Sequence, residues 1–201
     1  GELYATFENA RAGHSDVELW TLPAGAKSWS QPELVNDTPA SQATTEYLPK
    51  VAVAPNGRVD VVYYDRRADP TDTLNQVSLQ SSYDHGKTFS RHLVLSDRPF
   101  SSRIGFGADR GLADLGGTLG LVSTPRHAMA VWADTRAGTT VTLKQDIARA
   151  VVAFNNPDRI SSGLKTVLRI AAIALALLGI AMIVLLGRGA PPPARRPAAG
   201  A

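Results

Sequence analysis

Residues 59–67 read VDVVYYDRR, and two other stretches follow the same pattern, LYATFENAR at 3–11 and AMAVWADTR at 128–136. In each, an alternating apolar segment ends on an aromatic, then an acid or amide, then arginine. The aromatics align as Phe7, Tyr64 and Trp132. A small polar turn and a second alternating segment follow: DVELWTL (16–22), NQVSLQS (75–81) and QDIARAVV (145–152). Alternation with period two is the mark of a strand with one face buried. The first two units continue into a third strand, KSWSQPELVND (27–37) and KTFSRHLVLSD (87–97), which share Lys, an aromatic, Ser, Leu-Val and a final Asp. An inner strand precedes the middle unit in YLPKVAVAPNGR (47–58), where Asn56-Gly57 is a tight hairpin turn.

Short antiparallel strands repeated every roughly 40–60 residues describe the blades of a β-propeller. A β-sandwich also uses short alternating strands, but it does not repeat its sequence at that period. Units 1–37, 47–97 and 110–152 amount to about two and a half four-stranded blades. The first unit starts at its second strand and the last lacks a fourth. The expected fold is therefore all-β, a partial propeller over 1–154 that is the C-terminal portion of a larger one or is completed by another chain.

The rest of the chain differs in kind. Residues 170–187, IAAIALALLGIAMIVLLG, carry no charge and are bracketed by Arg169 and Arg188. Such a helix spans about 27 Å, close to the ~30 Å hydrocarbon core of a bilayer. Extension back to Leu164 supplies the remaining length, with Lys165 and Arg169 reaching toward headgroups. The expected organisation is a linker at 155–163, a transmembrane helix at 164–187 and a disordered Pro/Arg-rich tail at 188–201. Ala174, Gly179 and Ala181 lie near helix-packing spacing, a weak sign of a place in a larger membrane complex. Six of the 21 Lys/Arg but one of the 18 Asp/Glu fall in 155–201, so residues 1–154 are slightly acidic despite the overall +3. That leaves no basic surface for phosphates, and nucleic acid is not an expected partner. With no cysteine, disulfides, thiolate metal sites and cysteine nucleophiles are excluded. His14, His85, His92 and His127 lack metal-ligand spacing, and neither a nucleophile elbow nor a phosphate loop is present, so no metal or cofactor is expected.

Residues Ser82-Tyr83-Asp84-His85-Gly86-Lys87-Thr88-Phe89 fit the Asp-box, Ser-x-Asp-x-Gly-x-Thr-Trp/Phe. Asp84 can accept from backbone N–H groups across the turn, Gly86 can take a positive φ, and Phe89 can plug between strands. The aligned stretch of the first unit, Leu22 to Trp29, has Ala24 in place of the aspartate. With YLPKVAVAPNGRVDVVYYDRR, GFGADRGLAD and HAMAVWADTR, the Asp-box makes most of 1–154 resemble bacterial sialidase-like (BNR-repeat) proteins. The resemblance implies a six-bladed, surface-anchored propeller, with residues 1–154 outside the cell and the tail cytoplasmic. Charge alone leaves orientation nearly tied. No secretory signal is visible at Gly1-Glu2-Leu3, so the chain is expected to be processed or part of a longer one.

Strand direction places Asn56-Gly57 and the Asp-box on the face away from any pocket, so Ser82, Asp84, Gly86, Thr88 and Phe89 are read as structural. The opposite face would carry Glu46-Tyr47, Asp109-Arg110, Asp65-Arg66-Arg67 and Asp134-Thr135-Arg136. The resemblance implies a tyrosine nucleophile activated by glutamate, an aspartate acid/base and arginines on a carboxylate, carried onto Tyr47, Glu46, Asp109, Arg66 and Arg110. The first-blade Arg-Ile-Pro signature is absent. Repetition of Asp65/Arg67 and Asp134/Arg136 favours ties between blades over a site, and Glu46-Tyr47 also reads as an ordinary loop before a strand. The expected function is a membrane-anchored exo-sialidase-like glycosidase or glycan-binding propeller. The competing function is a non-catalytic surface module that meets a protein partner.

Overall fold

The computed structural model describes residues 1–11, 13–39, 41–105, 115, 119–155 and 162–188. Strand β5 (Val59–Asp65), the VDVVYYD stretch, is buried along its whole length. Its flanking strands are β4 (Glu46–Val53) and β6 (Leu74–Ser82), both antiparallel to it. β7 (Leu93–Val94) pairs with β6 on the far edge, and β8 (Phe100–Ser101) pairs with the start of β6. Apolar residues at both parities of β5 explain why this sheet is covered on both faces. Val59, Val61 and Tyr63 pack with Val17, Leu19 and Val35, whereas Val62 and Tyr64 pack with Phe100, Ala130 and Trp132.

Apart from Phe100 of β8 and Val35, those partners come from two further sheets. The first holds β1 (Leu3–Asn9), β2 (Asp16–Leu22) and β3 (Glu33–Leu34) in that order, and Val35 directly follows β3. The third holds β9 (Gly120–Ser123), β10 (His127–Asp134) and β11 (Asp146–Ala153), with β10 central. Residues 1–155 form one compact unit, all-β and built of three small sheets. No closed propeller forms among the described residues.

The hydrogen bonds of the sheets repeat as well. Val35 N–H donates to Val17 O at 2.8 Å, and Leu95 N–H to Val77 O at 2.7 Å. Asn36 Oδ1 accepts from Val17 N–H as Ser96 Oγ accepts from Val77 N–H. After the central strands, Asn9, Asp65 and Asp134 each accept the N–H of the arginine two residues on, at 3.1, 2.9 and 2.8 Å. This register equates Phe7 with Tyr63 and Trp132, rather than with Tyr64 as the sequence alignment has it. With Tyr63 and Tyr64 both fully buried, on opposite faces of β5, the side-chain pattern alone does not distinguish them.

Two kinds of polar contact fix the junctions. At one end of β5, Arg58 and Asp60 are 1% and 0% exposed and paired through two guanidinium nitrogens at 2.8 and 2.9 Å. Ser81 and Ser123 hydroxyls donate to Asp60, both at 2.6 Å. Arg58 donates to Thr124 O and Pro125 O and lies 3.6 Å from the Phe154 ring centroid. At the other end, Arg67 pairs with Asp65 of its own sheet at 2.8 Å and with Asp37 of the first sheet. Arg136 likewise pairs with Asp134 of its own sheet and with Asp97, which follows β7 of the middle sheet.

The turn at 82–89 is closed by its own side chains. Asp84 accepts from Thr88 Oγ1 at 2.6 Å, from Thr88 N–H at 3.0 Å and from Lys87 N–H at 3.2 Å, which holds its carboxyl down at about 2. Gly86 has φ +81, and a Cβ there would lie 2.5 Å from Leu19 Cδ2 of the first sheet.

Residues 156–201 form a second unit, in which α1 (Ser162–Arg188) is a 27-residue helix. Its stretch Thr166–Val184 is long and apolar enough to cross a membrane. Every described side chain in it is exposed.

Removing Asp60 tests the buried pair. Asp60→Ala leaves the Arg58 guanidinium buried without its carboxylate and is expected to cost about 3–5 kcal/mol. Urea denaturation of the full chain in detergent measures it. A loss below about 1 kcal/mol would show the pair to be incidental.

Candidate functional site

The start of β4, the end of β5 and the start of β6 meet at one end of the middle sheet. Adjacent strand residues point to opposite faces, so Glu46 and Tyr47 separate here. Glu46 turns toward the first sheet, where its carboxyl accepts from Thr38 Oγ1 at 2.9 Å and from Asn36 Nδ2 and Thr44 Oγ1 at 3.2 Å. Tyr47 turns the other way, onto Tyr64, with ring centroids 5.3 Å apart. The glutamate–tyrosine couple that the resemblance implied is not formed.

Tyr47 and Arg66 do come together. The Tyr47 hydroxyl donates to Asn75 Oδ1 at 2.8 Å, and Arg66 Nε donates to the same oxygen at 2.9 Å. Arg66 Nη1 donates to Asp72 O at 3.1 Å, and its guanidinium carbon lies 4.9 Å from the Tyr47 ring centroid. Nη2 has only long contacts, 3.4 Å to Ser102 Oγ and 3.5 Å to the Tyr47 hydroxyl. The Arg66 side chain keeps 21% of its surface exposed, and Asp72, 3.9 Å away, keeps 35%. Burial pushes the Tyr47 phenol above its ordinary value, while Arg66 opposes the shift. The result is an oriented guanidinium with a loosely held N–H edge, an aromatic ring beneath it and one carboxylate alongside.

Asp109 and Arg110 lie outside the described residues. Asp65/Arg67 and Asp134/Arg136 join sheets, as given above. Asn75, Asp72 and Ser102 were missed. Asn75 reads as an ordinary strand residue, Asp72 sits in the 66–73 loop at φ 50, and Ser102 is placed by the two-residue strand β8, too short to leave a pattern. No group of three His, Cys, Asp or Glu among the described residues could hold a metal.

No family model matches the chain, and no curated protein matches it. Solved structures do. An α-L-arabinofuranosidase from Fusarium graminearum, in complex with an iminosugar inhibitor, is 17% identical with a TM-score of 0.52 over 78% of this chain and 46% of that one. The GH93 α-L-arabinofuranosidase of the same organism, in complex with arabinobiose, is 16% identical with a TM-score of 0.50 over 76% and 42%. The chain thus spans under half the length of these structures, and at such identity the likeness is one of fold. The sialidase-like (BNR/Asp-box) assignment is corrected by this finding: the two solved structures of like fold named above are arabinofuranosidases. The exo-sialidase roles given to Tyr47, Glu46 and Asp109 lose their basis with it.

Glu46 gives a test of the junction beneath the site. Burial raises its carboxyl to about 7, and Asp65 adds to the shift, against Thr38 and Arg67. Between its ordinary 4.5 and about 7, the folded chain keeps a proton that the unfolded chain releases. The stability Glu46 contributes is therefore full at low pH, falls as pH rises through this window and is level above it. Subtracting the urea midpoints of Glu46→Gln from wild type, pH by pH, is expected to show that fall. Parallel curves for the two proteins would contradict it.

Proposed function

We propose that this chain is the carbohydrate-recognising part of a membrane-anchored β-propeller of the glycoside-hydrolase type. In this reading residues 1–154 supply about two and a half blades, 155–163 link them to a membrane span over 164–187, and 188–201 form the cytoplasmic tail. The sheets lie outside the membrane, where glycans are met.

The observation that carries the reading is the Arg66 guanidinium, fixed over the Tyr47 ring by Asn75 with Nη2 only loosely engaged. The Tyr47 ring, stacked on Tyr64 and under Arg66, holds the planar donor fork in place, and the loosely held N–H edge suits the hydroxyls of a sugar. Arabinobiose, bound by one solved structure of like fold, is the natural first probe. Cleavage of a glycosidic bond ordinarily takes two carboxyl groups, and among the described residues this cluster holds Asp72 alone. That favours recognition without hydrolysis as the second reading.

Calorimetric titration of the full chain in detergent with arabinobiose, against maltose as control, tests the proposal. Saturable binding of arabinobiose is expected, weakened about fivefold or more by Arg66→Lys, which keeps the charge and loses the fork. No saturable binding, or equal binding by the variant, would overturn it. Free arabinose in the mixture would favour the hydrolytic reading over the second.

A further inference from the structure

The outer face of the first sheet is bare. Leu3 and Phe7 are 56% and 57% exposed, and Phe7 lines an open groove with Ala5, Trp20, Trp29, Glu18 and Arg11. In the register set by the Asn9, Asp65 and Asp134 turns, Leu3, Ala5 and Phe7 correspond to Val59, Val61 and Tyr63 of β5, and to Ala128, Ala130 and Trp132 of β10. Both of those rows are buried. The β5 row lies against the first sheet, and Ala130 and Trp132 lie against the middle sheet. Trp29 corresponds to Phe89, which packs into the junction between the first and middle sheets.

The charges follow the same rule. Arg67 and Arg136 each reach an aspartate that follows the outer strand of the sheet before them, Asp37 after β3 and Asp97 after β7. Arg11 stands at the equivalent place and has no acidic partner among the described residues. The apolar row, the aromatic and the arginine of a sheet junction are therefore present on this face, with Asn9 where the other sheets have Asp65 and Asp134.

We propose that the Leu3–Phe7–Trp29 face docks a further β-unit of the same repeat, whose outer strand is followed by an aspartate that pairs with Arg11. A second copy of this chain fits less well. Its bare face belongs to the third sheet, in which no strand follows β11 among the described residues to carry such an aspartate. The inference rests on the repeat and not on what the Tyr47 site binds.

Photo-crosslinking tests it in the full-length protein in its own membrane. Benzoylphenylalanine replaces Phe7, with the same replacement at Val141, 89% exposed on the β10–β11 loop, as control. The expected adduct is a peptide of apolar strand residues followed by an aspartate, outside residues 1–201. Arg11→Asp is expected to lower its yield about tenfold, and arginine in place of the adduct's aspartate to restore it. Adducts confined to residues 120–153 of a second copy, a yield no higher than at Val141, or a yield indifferent to Arg11 would each overturn the proposal.

Discussion

Arg67 sits between two carboxylates, Asp65 of its own strand end and Asp37 of the sheet before it, and much of the rest of the molecule depends on that arrangement. A guanidinium removed from water is tolerable only when its charge is met; here Nη1 donates to Asp37 and Nη2 to the Tyr63 hydroxyl, while Nε forms an ion pair with Asp65 without hydrogen-bond geometry. Once its charge is met, the guanidinium sets the position of one sheet relative to the next, because one carboxylate ends β5 and the other lies on the segment that follows β3. Arg136 repeats the device one sheet later, with Asp134 and Asp97. Hydrophobic burial supplies attraction between the sheets without direction; these pairs supply the direction.

The same constraint shapes the candidate site. Because Asp65 and Glu46 both face the first sheet, the alternation of the strands sends Tyr47 and Tyr64 to the opposite face, away from the clamp. Arg66, between Asp65 and Arg67, turns to that face as well and stacks on Tyr47. One strand end thus serves a junction on one side and an open cluster on the other. Glu46, held at about 7 by its burial, is what the junction tolerates in exchange for tying Asn36, Thr38 and Thr44 to the middle sheet.

Much of this architecture was legible in the sequence. Period-two segments located the central strands, and the matched endings of 27–37 and 87–97 located the aspartates that clamp the sheets, although their partners were not evident. Legibility failed where the signal is not local. Tyr63 and Tyr64 are both buried, so composition gives no clue to which faces which sheet. β8 is two residues long, so Ser102 has no pattern to betray it. The Asp-box spacing reflects how a turn is closed by Asp84 and packed through Gly86, a local solution that did not identify the family of the whole chain. The resemblance made Glu46 the activator of a Tyr47 nucleophile, but neighbours on a strand point to opposite faces, and there they part.

The most direct measurement is a double-mutant cycle across Asp37 and Arg67, read by urea denaturation of the full chain. If the clamp orients the sheets, Asp37→Ala and Arg67→Ala are coupled, with an interaction energy of about 1 kcal/mol or more. Additivity within about 0.5 kcal/mol would mean that the carboxylate of the first sheet contributes nothing specific to the arginine of the second, and the account of how these sheets are aligned would fail.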